Sequence, residues 1–135
     1  MINDQIIKLA SNTKFQGLKR IYTHRSTAKN SVCGDFIKIE LVADKFKIKS
    51  MRYETNSCVL CEASASLLSN NIKNTYLKDL KILLKDLKYI KKTKKIVFQS
   101  KLKILNKILD KKTLNRINCV ILPMEALLKA IKIDK

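Results

Sequence analysis

Four cysteines and one aspartate carry the reactive chemistry of this chain: Cys33, Cys58, Cys61, Cys119, and Asp35, which follows Cys33 across Gly34 in the stretch NSVCGD at 30–35. Thiolates are soft donors, suited to zinc or to iron bridged by sulfide, and a carboxylate adds a harder ligand or holds a ligand in place. Gly34 is one of only two glycines. Lacking a Cβ, it permits a turn that aims Cys33 and Asp35 at one point and lets the backbone approach a bound ion. Cys58 and Cys61 open an Ala- and Leu-rich stretch, where the free N–H groups of a helix start favour a thiolate over a thiol.

Each cysteine also has an inert reading, as a small apolar packing residue. The C-x-x-C spacing of Cys58 and Cys61 matches a redox pair as well, but no βαβ pattern surrounds it. His24, the sole histidine, reads as a surface or turn residue, and Asp35 alone could cap a turn. Paired catalytic carboxylates, a Ser-His-Asp set and a Gly-rich phosphate loop are all missing, which argues against a conventional hydrolase or kinase.

The elements that must position these residues follow from periodicity. A capping Asn or Asp precedes an apolar stripe in NDQIIKLA at 3–10, the pattern of a short N-terminal helix. A polar connection then runs from Ser11 to about Ser31, broken by Gly17. From Asp35 to Val42 the residues alternate, with Ile37, Ile39 and Leu41 on one face, as in a half-buried strand. After a turn at Ala43–Lys45 the alternation resumes through Phe46 and Ile48, then slips by one to Met51 and Tyr53. A bulge or a break into a third strand near Ser50 absorbs that slip. Helices follow: one over 58–72, whose small residues allow close approach to a sheet, and one over 76–92, with Leu77, Leu80, Leu84 and Leu87 as a core stripe. A further helix spans about 96–109, and a last one follows Pro123, a residue suited to a first helical turn. Strands first and helices afterwards predict an α+β fold: a small antiparallel sheet of about three strands, covered on one face by helices, with an N-terminal helix. In this reading Cys33, Cys58 and Cys119 all lie at loop ends that can converge.

Length and composition set the bounds. A chain of 135 residues with a hydrophobic fraction of 46% reads as a single domain, 1–135, able to build a core without covalent staples. No apolar run is long enough for a membrane span, and the opening MINDQIIKLAS carries no secretory signal, so a cytoplasmic protein with reduced thiols is expected. The net charge is +18, yet of 29 basic residues only Arg20, Arg25, Arg52 and Arg116 are arginine. So many lysines, beside abundant Ile and Asn, look like the codon drift of an A/T-rich genome. Specific nucleic-acid binding is therefore not expected, since phosphate- and base-reading surfaces lean on the arginine fork.

Three segments in order, NSVCGD at 30–35, SCVLCEASASLL at 57–68 and RINCVILPMEALLKAI at 116–131, resemble the NifU-like family of iron–sulfur cluster assembly scaffolds, which includes IscU- and SufU-type members. The resemblance covers nearly the whole chain. It implies a site of Cys33, Asp35, Cys58 and Cys119 holding a nascent cluster, commonly [2Fe–2S], or a zinc ion in its place. It further implies a carrier rather than an enzyme, with a cysteine desulfurase as sulfur donor and apo-iron–sulfur proteins as recipients. The alternative is a SufU-type zinc-dependent sulfur acceptor with sulfurtransferase activity. Arg116, three residues before Cys119, then faces the desulfurase, and Cys119 is the expected persulfide acceptor because its loop carries that arginine. Departures from the family pattern are Asn118 where IscU-type members have histidine, the lack of a Leu-Pro-Pro-x-Lys segment, Ser57 in place of glycine, and the extra Cys61. That last residue is a candidate additional ligand or persulfide resting place.

Overall fold

The computed structural model describes residues 4–30, 34–93 and 117–132. Helix α1 (Asp4–Ser11) precedes strands β1 (His24–Lys29), β2 (Phe36–Ala43) and β3 (Ile48–Asn56). Helix α2 (Val59–Asn71) follows, then a 3-10 turn (Leu77–Asp79), α3 (Leu80–Thr93) and α4 (Ile117–Ala130). The strands form one antiparallel sheet in the order β1-β2-β3. The expected fold is therefore present. None of the described helices is long and apolar enough to cross a membrane.

Alternation decides which face of the sheet is covered. Ile37, Ile39, Leu41 and Ala43 of β2 pair across with Thr55, Tyr53, Met51 and Ile48 of β3. All but Thr55 are buried, and each large apolar side chain removed from water contributes about 1.5–3 kcal/mol. The phase slip is a bulge: Val42 opposes Ser50 and Ala43 opposes Ile48, leaving Lys49 as the extra residue. No strand breaks there. Phe46, read as a strand residue, instead sits exposed in the β2–β3 turn. Asp44 shapes that turn by accepting hydrogen bonds from the N–H groups of Phe46 and Lys47, both 2.8 Å. Those bonds hold its carboxyl below the usual carboxylate range.

The third strand is β1, within the segment read as a polar connection. Its inner positions are His24, Ser26 and Ala28, none of them large and apolar, because α4 lies directly across β1 and β2. The Ser26 hydroxyl donates to the Ala126 carbonyl at 2.6 Å, tying strand to helix. Helix α2 is buried nearly all round, packed by α1, α4 and β3 rather than by the sheet alone. On α3 the buried stripe is Leu80, Leu83, Leu87 and Ile90, with Leu77 and Leu84 at its margin.

Helix α4 corrects a second expectation. It includes Ile117, so Pro123 lies inside the helix rather than in its first turn. Proline has no N–H to give to the carbonyl four residues back, that of Cys119. Packing compensates, because eleven residues of α4, Pro123 among them, are buried. The helix expected at 96–109 lies outside the described residues.

The sheet's outer face is crossed by the chain between α1 and β1. Glu40, buried there, accepts the backbone N–H groups of Lys19 (2.9 Å) and Arg20 (3.1 Å). Removing a charged acceptor strands those donors. Glu40→Ala is expected to lower stability by about 2 kcal/mol, read as a lower urea midpoint at unchanged slope.

Candidate metal centre

The turn into β2 sets the first candidate ligand. Gly34 has φ +77°, a left-handed value that a side chain disfavours by about 1–2 kcal/mol. Its N–H donates to the Asn30 carbonyl, and the Asn30 N–H to the Asp35 carbonyl, both 2.8 Å. Among the described residues beyond its chain neighbours, no atom lies within 4 Å of where a Gly34 Cβ would stand. The left-handed backbone is reason enough for a glycine at this position. Asp35 emerges from this turn 7% exposed, and its Oδ2 is enclosed with no hydrogen-bond partner among the described residues.

Cys58 is the N-cap residue of α2, with extended backbone (φ −73°, ψ 166°) and no side-chain capping bond. A Ser or Asp at that position would turn its oxygen back to the helix N–H groups. Sulfur is a poor acceptor for them, so the thiol stays available to another partner. Cys58 is half-buried.

Cys119 comes from α4, where it is the third described residue and 6% exposed. It was expected in a loop approaching the helix; it lies within the helix itself. Next to it, the Val120 carbonyl accepts the Ser64 hydroxyl of α2 at 2.5 Å. That bond clamps the Cys119 end of α4 to the helix that Cys58 begins.

One carboxylate oxygen of Asp35 and the sulfurs of Cys58 and Cys119 all lie within 4.8 Å of one another. Ligands of a tetrahedral zinc stand roughly 3.3–3.8 Å apart, as its bond lengths dictate. Side-chain adjustment of about an ångström closes the difference. A buried carboxylate with one unpartnered oxygen, grouped with two sulfurs, is a candidate donor set for a cation. Cys33 and Arg116 lie outside the described residues.

Cys61 is placed differently. It is fully buried inside α2 and is not part of the Asp35, Cys58 and Cys119 group. Burial pushes its thiol up to about 12, opposed by hydrogen bonds with Ser57 and Thr55, while the nearby Asp35 and Cys58 add to the rise. Thr55 in turn donates to the Phe36 carbonyl (2.6 Å) and, with its one proton so used, accepts from the Ser57 hydroxyl (2.8 Å). This chain of hydroxyls fixes the end of β3 and the entry to α2. Nothing in the alternation of β3 pointed to it, since Thr and Ser there read as ordinary polar residues. His24, half-buried and bonded to Thr23 Oγ1 at 2.8 Å, opens β1 opposite Leu41, at the end of the strand pair away from Asp35.

The NifU-like N terminal domain family matches residues 1–133. The iron-sulfur cluster assembly scaffold protein IscU of Thermotoga maritima is 28% identical over 133 residues, 98% of this chain and 93% of that protein. Among solved structures, the N-terminal NifU-like protein of Brucella abortus superposes with a TM-score of 0.83 at 16% identity, covering 98% of this chain and 92% of that one. The SUF-system scaffold protein FiSufU of Fervidobacterium islandicum gives 0.81 at 20% identity, covering 96% and 95%. At those identities the two structures speak to the fold.

A thiol raised to about 12 is ionised to about one part in ten thousand near pH 8, and only the thiolate reacts. Alkylation of the native protein, mapped by mass spectrometry, is expected to modify Cys58 and to spare Cys61 until the chain is unfolded. Cys61→Ala should leave metal stoichiometry unchanged, and a lost equivalent would show Cys61 to be a ligand.

Proposed function

Because the chain belongs to the NifU-like N-terminal domain family, we propose that it is a non-enzymatic scaffold on which an iron–sulfur cluster is assembled as cargo and then passed to apo-proteins. The observation that carries this reading is the meeting of Asp35, Cys58 and Cys119, from three distant parts of the chain, within 4.8 Å. The scaffold named among its relatives supports the same role.

The donor set suits a carrier. Thiolates hold iron or zinc strongly, and a closed four-thiolate shell is the pattern of permanent structural centres. A carboxylate in one position is a harder, more exchangeable ligand for these metals. Asp35 in this proposal keeps the cargo transferable, while Cys58, Cys119 and Cys33 supply sulfur ligands.

Sulfur arrives from a cysteine desulfurase, with Arg116 facing that partner. Cys119 is the proposed acceptor: its thiolate attacks the outer sulfur of the desulfurase persulfide, a new S–S bond forms, and the desulfurase thiolate leaves. At 6% exposure, Cys119 needs the partner to open the end of α4 that carries it. Persulfide found on Cys58 and absent from Cys119 after incubation with desulfurase would overturn this assignment.

Anaerobic reconstitution with iron and sulfide is expected to give a visible chromophore that moves to an apo-ferredoxin. Asp35→Ala should retain the chromophore and slow its transfer by tenfold or more, roughly 1.4 kcal/mol in barrier. Tight zinc with no transferable chromophore, and faster desulfurase turnover, would instead indicate the zinc-dependent sulfur acceptor.

A further inference from the structure

The face of the sheet turned away from the helices carries a second surface, built from other residues. After α1, the chain pairs briefly with β3: Tyr53 N–H donates to the Phe15 carbonyl at 3.1 Å and Gly17 N–H to the Tyr53 carbonyl at 2.7 Å. It then crosses toward β1, held by the Glu40 carboxylate through Lys19 and Arg20. This crossing and the outward residues of the strands frame a cleft of about 900 Å³ whose lining includes Arg20, Tyr22, Arg25, Lys38 and Glu54.

Arginine is scarce in this chain, four among 29 basic residues, and three of the four stand on this face. Arg52 is used internally, donating from Nε to the Gly17 carbonyl (2.8 Å) and from Nη2 to the Gln16 carbonyl (2.9 Å). Arg20 and Arg25 are exposed, and among the described residues their guanidinium groups make no ion pair or hydrogen bond. Arg25 instead lies over the Tyr22 ring, 5.1 Å from its centroid. Stacking of this kind holds the planar group in a fixed orientation. Where basic positions default to lysine, two unpaired arginines aimed at one cleft mark a need for the bidentate fork. A solvated charged face would be served equally by lysine.

The lining distinguishes between the anions such a fork can hold. Glu40 and Glu54 also line the cleft, so it suits a segment with a few spaced acids better than a continuous run of phosphates. Tyr22 is 38% exposed and Ile21 beside it 71%. Arginine and tyrosine with an exposed aliphatic residue, and two acids among the bases, is the composition of a protein-binding patch.

We propose that this face docks an acidic segment of a partner protein, two of its carboxylates engaging Arg20 and Arg25 while an apolar side chain rests on Tyr22 and Ile21. Lys38 follows Asp35 by three residues, about 10 Å along β2 at the usual strand rise. A partner seated here lies beside the ligand group, on the opposite face of the sheet, and leaves α2 and α4 uncovered. The proposal does not depend on what the cysteines carry.

The test uses the full chain, isotope-labelled, with a short synthetic peptide of Asp and Glu residues around a central Leu-Phe pair, at physiological salt. Amide shifts are expected to be confined to residues 18–27 and 38–40. The charge-preserving double variant R20K/R25K should weaken binding roughly tenfold, the loss expected when lysine replaces a bidentate arginine. Neither guanidinium supports the fold, so circular dichroism should be unchanged. Absent binding, shifts spread over the lysines of α3, or affinity untouched by R20K/R25K would overturn the proposal. So would tighter binding of an oligothymidylate of matched charge at the same face.

Discussion

How closely α4 approaches α2 governs everything at the ligand group. Cys58 begins one helix and Cys119 lies in the other, so their sulfurs meet only if the helices pack at short range. The sequence of α2 allows this: Ala63, Ser64, Ala65 and Ser66 are buried, and side chains so small keep backbones close. The Ser64 hydroxyl then accepts the role of a clamp, donating to the Val120 carbonyl at 2.5 Å. That carbonyl adjoins Cys119, so the bond that closes the helix pair also sets the height of that sulfur. Larger residues in α2 would separate the sulfurs before they disturbed the sheet.

Asp35 reaches the same point by another route. Its backbone is fixed by the left-handed Gly34 and by hydrogen bonds through Asn30, and its Oδ2 is buried without a donor. Burying an unsatisfied carboxylate oxygen is unfavourable in the free protein. A cation bound there, as proposed above, removes that penalty. In the proposed scaffold, relief of that penalty favours loading, and the oxygen's weak hold on soft metals favours release.

Much of this was legible in the residues. Ile37, Ile39 and Leu41 announced β2, the slip before Met51 announced a bulge or a break, and Ala-Ser-Ala-Ser announced a closely packed helix. Strand β1 was illegible because its inward residues are His24, Ser26 and Ala28. Strand signals rest on large apolar alternation, and α4 lies too near to leave room for it. The start of α4 was misplaced for a related reason. Pro123 normally signals a first turn, but α4 is so thoroughly buried that tertiary packing carries a proline in its interior. The same burial turned Cys119 from a loop residue into a helical one. No periodicity in sequence could reveal the Glu40 anchor, whose partners are backbone groups about twenty residues earlier.

Cys61 shows how little separates a ligand from packing. It lies one helical turn from Cys58 and near Asp35, yet it stays out of the group. Its thiol is enclosed in the core and bound to Ser57 and Thr55, and Thr55 is itself held to β2 through the Phe36 carbonyl. Drawing Cys61 into coordination would require ionising a buried thiol, breaking those hydroxyl contacts and unwinding the first turn of α2. Each step costs on the order of a kilocalorie or more. The sequence therefore offers a further sulfur that the fold withholds, and the carboxylate keeps its place in the candidate group by the packing of its neighbours as much as by its own chemistry.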